Sequence, residues 1–185
     1  NILKQGLEWG VSIIQLRNKA ASKPEILNDA SIIAPLAKKA GIPFIVNDYL
    51  DIAIAVDADG VHTGQDDIPV SIIRQQFGPH KILGRTTHSL AQGKIAQEDG
   101  ADYISVGPIW ETPSKPGRDG IGFDYLSTAN AELSVPFVAI GGVNSDNIDE
   151  LLPHNPPLIG LIRDYQTIPE LQQKIAKTLS PTTLF

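Results

Sequence analysis

Short runs of Val and Ile alternate with amphipathic stretches along the whole chain. The runs at 11–16 (VSIIQL), 43–47 (PFIVN), 60–63 (GVHT), 81–85 (KILGR), 103–109 (YISVGPI), 137–142 (FVAIGG) and 157–162 (PLIGLI) are apolar on both faces. Strands buried in a parallel sheet have that pattern. Helices are predicted between them. Ser22 and Glu25 have the spacing of a capping box and open a helix that should stop at Gly41. Ser89 and Gln92 repeat the spacing, with Gly100 at the expected stop, and Thr167 and Glu170 open a third such helix. Shorter helices are expected over 50–57, 69–77, 123–132 and 145–152.

Seven strands with helices between them predict an α/β fold. An open doubly wound sheet and a closed (β/α)8 TIM barrel both have this order. No G-x-G-x-x-G follows a strand, which counts against the open sheet. The chain begins ILKQGLEWG after its first residue, which reads as the end of a helix, so the first barrel strand is expected upstream of residue 1. The expectation is one barrel domain over 1–185, incomplete at its N-terminus.

Composition narrows the class. The 185 residues carry 15 Lys+Arg against 21 Asp+Glu, a net charge of −6, which argues against a nucleic-acid-binding domain. No cysteine is present, so disulfides, iron–sulfur clusters and thiolate zinc sites are excluded. No apolar run has the length of a membrane span and no signal peptide is recognisable. A cytoplasmic protein is the default expectation, with no membrane partner. A homo-oligomer is compatible with the sequence.

Polar residues gather after each strand. Gln15, Arg17 and Lys19 come first and would project together if the strand stayed extended. Asn47 and Asp48 follow the second, Asp66 and Asp67 the third, and Arg85, Thr86, Thr87 and His88 the fourth. A loop from Trp110 to Gly122 carries Thr112, Ser114, Lys115 and Arg118. Gly141 and Gly142 follow the sixth strand, Arg163 and Asp164 the last. In a parallel barrel all these ends open on one face, where such folds hold their active sites. Each residue also has a plainer role. Asp48, and Asp66 or Asp67, could cap the helices that follow them; Arg17 and Lys19 could be rim ion pairs; His62, Tyr103 and Trp110 could be packing residues. Taken jointly, two cations, a distant lysine and two separated carboxylates suggest a Mg²⁺-dependent enzyme acting on a diphosphate. Hydroxyls and a Gly-Gly helix entry add phosphate donors for a second phosphorylated substrate.

The segments QLRNK, VND, DGVHTGQDD, GRTTHS, GADYISVGP, TPSKPG and VAIGGV, in this order, resemble the thiamine-phosphate synthase family from about residue 10 to about 163. The resemblance implies a transferase that joins hydroxymethylpyrimidine diphosphate to thiazole phosphate and releases pyrophosphate. It implies that Gln15, Arg17 and Lys19 contact the pyrimidine diphosphate, with Asn47 on the pyrimidine side. Asp48 and Asp67 fall on the family's Mg²⁺ carboxylates and Thr86 on its pyrophosphate-binding serine. Thr112, Ser114 and Lys115 fall on its TPTK segment, Gly142 on its phosphate-site glycine, and Ile162 and Arg163 on its last-strand phosphate contact. Arg17, Lys19, Lys115 and Thr86 would then carry the chemistry.

Three departures stand out. Thr86 replaces a serine and Ser114 a threonine, each keeping a hydroxyl. LLPHNPPLIGLIRDY lacks the family's alanine- and glycine-rich stretch, and Asp164 stands where alanine is usual. Two other readings share the fold: a thiazole tautomerase with His88 moving the proton, and a non-catalytic phosphate-ligand paralogue. The presence of Arg17, Lys19, Asp48 and Asp67 together favours the synthase.

Overall fold

The computed structural model describes residues 2–114, 117 and 119–178. Among them, seven strands alternate with eight α-helices. They are α1 (Ile2–Glu8), β1 (Ile14–Leu16), α2 (Lys23–Ala40), β2 (Phe44–Asn47), α3 (Leu50–Ala55), β3 (Gly60–Thr63), α4 (Val70–Phe77), β4 (Ile82–Thr87), α5 (Leu90–Glu98), β5 (Tyr103–Val106), α6 (Asp124–Glu132), β6 (Phe137–Ile140), α7 (Ile148–Leu151), β7 (Leu158–Gly160) and α8 (Ile168–Thr178). Parallel strands in chain order, each followed by a helix, make this an α/β fold of the TIM-barrel class. None of the described helices is long and apolar enough to cross a membrane. The chain divides into two compact units: Asn1–Arg85 with Asp99–Asp102, and Thr86–Glu98 with Tyr103–Phe185.

In the first unit β1, β2, β3 and β4 pair in order and in parallel. Every residue of β2 and β3 is buried, as the two-faced apolar runs require. Helix α2 begins where its capping box predicts. The Ser22 N–H and hydroxyl both donate to Glu25 Oε2, at 2.8 and 2.7 Å. It ends on Gly41 in the left-handed region and buries Ile26, Ala30 and Ala37. Arg74 ties the detached segment to this unit. Its guanidinium donates to the carbonyls of Lys81 (2.6 Å) and Gly100 (3.1 Å) and to Asp102 (2.6 Å). Asp102 in turn accepts the Leu83 N–H at 2.7 Å.

In the second unit β5, β6 and β7 are parallel neighbours in order. Leu126, Ile148, Leu151 and Leu152 of this unit are at most 1 % exposed. Thr87 donates to the Ser105 carbonyl (2.9 Å), so the Tyr125 hydroxyl, 2.6 Å from Thr87 Oγ1, is the donor in that pair. The loop after β5 is fastened by backbone bonds: Ile109 N–H to Ile140 O (3.0 Å), Trp110 N–H to Gly141 O (3.1 Å), Ile121 N–H to Pro108 O (2.8 Å) and Gly122 N–H to Ile109 O (3.1 Å). Gly142 makes this docking feasible. Its φ is +72°, and a Cβ there would lie 2.7 Å from Trp110 Cβ. The Trp110 ring meets Phe123 edge-on at 5.4 Å, and Phe123 stacks on His154 at 4.3 Å.

Several element ends differ from expectation. The first strand starts at Ile14 rather than 11 and stops at Leu16, so Arg17 and Lys19 do not continue its alternation. The cause is Asn18, whose Oδ1 accepts the Ala20 N–H at 3.2 Å and turns the chain. The fifth and sixth strands stop at Val106 and Ile140, before a cis Gly107-Pro108 bond and two positive-φ glycines. The last strand shrinks to Leu158–Gly160, whereas β4 runs on through Thr87. Half of the box at Ser89 forms as read, with Ser89 Oγ accepting the Gln92 N–H at 3.3 Å, while Gln92 Oε1 accepts the N–H of His88 rather than of Ser89, at 2.8 Å. Thr167 closes a 3-10 turn ahead of α8 and donates to Asp164 O instead of capping the helix.

Two outcomes are expected. Burial raises the Tyr125 pKa. The folded chain therefore holds the phenol proton more tightly than the unfolded chain, which ionises first as pH rises. Stability from this group is full below about pH 10 and falls above it. Tyr125→Phe should cost about 1 kcal/mol at neutral pH and flatten the alkaline fall in melting temperature; an unchanged alkaline slope would contradict this. Gly142→Ala should lower the urea midpoint by an amount equivalent to roughly 2 kcal/mol, from the positive φ together with the Trp110 clash.

Candidate active site

The first unit holds the pair on which the site depends. Asn47 ends β2 and registers with His62 in β3. Asp48, the next residue, donates its N–H to the His62 carbonyl at 2.8 Å. It sits at φ +64°, a conformation that Asp tolerates better than most residues. It does not cap α3. Its carboxylate lies 3.1 Å from Lys19 Nζ, with the two side chains 21 % and 60 % exposed. Asp67 is in the turn that leaves β3. Its Oδ2 accepts the Gly64 N–H at 2.6 Å. The residue in the N-cap position of α4 is Pro69, so neither Asp66 nor Asp67 has the capping role considered for it. Because β2 and β3 are parallel neighbours, the chain delivers Asp48 and Asp67 at the same end of adjacent strands.

Lys19, Asn47 and Asp48 line one cleft of about 120 Å³, with Leu16, Asn18, Ile26 and Tyr49 completing its walls. Asn47 is buried and Gln15 is exposed on β1. Arg17 is half-buried just past the strand. It makes no hydrogen bond or ion pair among the described residues, so its charge is available to an anion. Tyr49 was not legible as a site residue; its ring carries Lys23 Nζ 5.1 Å above it. Lys23 is paired with Asp51 at 2.9 Å, and that pairing holds the Asp51 carboxyl below its usual range.

The donors suit a hard cation. Mg²⁺ takes oxygen ligands, keeps several waters and is commonly held by one or two carboxylates with substrate phosphates. Asp48 is partly exposed, and Asp67 uses one oxygen on Gly64. No group of three or more His, Cys, Asp or Glu side chains suited to a metal occurs among the described residues.

In the second unit, Thr86 is buried in β4 and Thr112 in the loop after β5. Thr112 Oγ1 accepts the Ser114 N–H at 3.3 Å, which brings these two hydroxyl residues together. Lys115 lies outside the described residues. Gly142 is bracketed by two asparagines absent from the sequence reading. Asn144 and Asn147 both donate to its carbonyl, at 3.2 and 2.9 Å. Asn144 Oδ1 also accepts the Asp146 N–H (2.8 Å) and Asn147 Oδ1 the Asn144 N–H (2.9 Å). The run Val-Asn-Ser-Asp-Asn was the available signal, since such side chains build turns. Ile162 and Arg163 are exposed in the bend after β7. The His88 ring is held through Nδ1 against the Gly107 carbonyl.

The chain is similar to known proteins. The family model described as thiamine monophosphate synthase matches residues 1–164. A thiamine-phosphate synthase of Halalkalibacterium halodurans is 44% identical over 164 residues, covering 88% of this chain and 78% of that protein. One from Lawsonia intracellularis is 41% identical over 175 residues, covering 94% and 81%. A solved structure of thiamine phosphate pyrophosphorylase from Pyrococcus furiosus superposes with a TM-score of 0.85 at 30% identity, covering 97% of this chain and 90% of that one. Matched along most of its length in sequence and in backbone, the chain belongs to the thiamine monophosphate synthase family.

Proposed function

We propose that this chain catalyses thiamine-phosphate synthesis, joining hydroxymethylpyrimidine diphosphate to thiazole phosphate with release of pyrophosphate. The C–O bond between the pyrimidine methylene and the diphosphate breaks, and its electron pair leaves with the diphosphate. The thiazole nitrogen lone pair then forms the new C–N bond. That nitrogen carries no proton, so no protein base is required, in keeping with a site rich in cations and carboxylates.

The observation that carries this reading is the delivery of Asp48 and Asp67 at the same end of β2 and β3, with Lys19 3.1 Å from Asp48. A barrier dominated by charge building on a departing diphosphate falls when fixed positive groups meet that charge. Lys19 and Arg17 have that role here, with Lys115 and the Thr86 hydroxyl assigned to the same leaving group by resemblance. Asp48 and Asp67 would hold Mg²⁺, whose contribution when bound is to neutralise the diphosphate oxygens. In the absence of ligand the Lys19 ammonium balances Asp48, and an arriving diphosphate competes for the same cation. Gln15 and Asn47 are the pyrimidine-side hydrogen-bonding groups. Thr112, Ser114, Gly142, Ile162 and Arg163 are assigned to the thiazole phosphate. Holding the nucleophile in line with the electrophilic carbon is the other source of rate, up to roughly 10 kcal/mol in favourable cases. Both substrates carry phosphate and do not cross membranes unaided, which suits a cytoplasmic enzyme.

Asp67→Asn should reduce pyrophosphate release from the two substrates by about 100-fold or more, with an unchanged circular dichroism spectrum. Activity within a factor of two of the parent at limiting Mg²⁺ would overturn the metal assignment.

A further inference from the structure

We propose that Arg85 is a positioning residue, holding the turn between β3 and α4 in the shape that presents Asp67. Arg85 lies in β4 directly opposite Thr63, the last residue of β3. Its Nη1 donates to Thr63 Oγ1 at 3.0 Å and to the Ile68 carbonyl at 3.0 Å. Its Nη2 donates to the Gln65 carbonyl at 3.2 Å. One guanidinium therefore grips the strand end, the start of the turn and the residue after Asp67.

Much of the turn is exposed. Gln65 and Asp66 are exposed, and Ile68, its apolar residue, is 50 % exposed. The bonds within it run between Gly64 and Asp67: Asp67 N–H to Gly64 O at 3.3 Å and Gly64 N–H to Asp67 Oδ2 at 2.6 Å. A rigid fork with five donors can serve three separated acceptors at once, whereas an ammonium on a flexible stem cannot hold the same three in place. Burial works against the Arg85 charge, and Asp67, Asp99 and Asp66 work for it. The cation thus faces the acidic turn as well as its carbonyls. Outer partners of this kind that orient a metal ligand are typically worth 10- to 100-fold in affinity, by general experience with metal sites.

The functional half of this inference rests on the reading of Asp67 as a Mg²⁺ carboxylate, and the test separates the two. Mn²⁺ binding would be followed by electron paramagnetic resonance in the presence of pyrophosphate, without turnover, on the parent, Arg85→Lys, Arg85→Gln, Thr63→Val and Asp67→Asn proteins. Amide hydrogen exchange of the 64–68 segment would be followed in parallel. Arg85→Lys keeps the charge and loses the fork. It should weaken Mn²⁺ by about 10-fold and speed exchange at 64–68. Arg85→Gln should do the same, and Thr63→Val should show a smaller effect in the same direction, which keeps the test in force if an Arg85 variant fails to fold. Parent-like exchange in a folded Arg85→Lys protein would overturn the positioning role. Faster exchange with parent-like Mn²⁺ affinity would overturn its link to the metal. Parent-like Mn²⁺ binding by Asp67→Asn would instead overturn the reading of Asp67, whatever the exchange data show.

Discussion

Parallel pairing of β2 with β3 is the constraint on which the proposed chemistry depends. Asn47 opposite His62, with the Asp48 N–H on the His62 carbonyl, fixes where the first carboxylate leaves the sheet. Thr63 opposite Arg85 fixes where the second turn begins. An antiparallel pairing would send the two residues that follow these strands to opposite ends. A slip of one residue would send Asn47 and His62 to the other faces of their strands. The full burial of β2 and β3 makes such a slip costly, because their apolar side chains already have neighbours on both faces.

That burial is also why so much of the fold could be read from the sequence. All seven strands lie within or across the Val- and Ile-rich runs, and the box at Ser22 and Glu25 marks the start of α2. What escaped reading were the stops, which depend on single side chains bonding to nearby backbone. Asn18 ends the alternation of Gln15, Arg17 and Lys19 by accepting the Ala20 N–H. Asp67 turns to Gly64 instead of capping α4, since Pro69 occupies the cap position. Arg85 reads as one more polar residue after a strand because its acceptors include backbone carbonyls 17 and 20 residues away, and carbonyls leave no trace in sequence. The candidate carboxylates were legible through their order along the chain; the groups that hold them became visible only in three dimensions.

The second unit shows the same division of labour. Its hydroxyl loop owes its placement to backbone bonds with Ile140 and Gly141 and to a glycine at 142 that lets Trp110 approach. Asn144 and Asn147 then fasten the Gly142 carbonyl from the other side. The Trp110, Phe123 and His154 rings give the loop a support that reaches into the 151–165 segment. Residues assigned to chemistry are thus few, and each leans on neighbours whose role is geometric.

The claim that two aspartates at adjacent strand ends share one cation is tested most directly by anomalous diffraction from crystals soaked with Mn²⁺ and pyrophosphate. The account requires a single Mn²⁺ peak in bonding range of a carboxylate oxygen from both Asp48 and Asp67, with Lys19 turned from Asp48 toward the anion. A peak bound elsewhere, or on only one of the two aspartates with Lys19 still paired to Asp48, would contradict it.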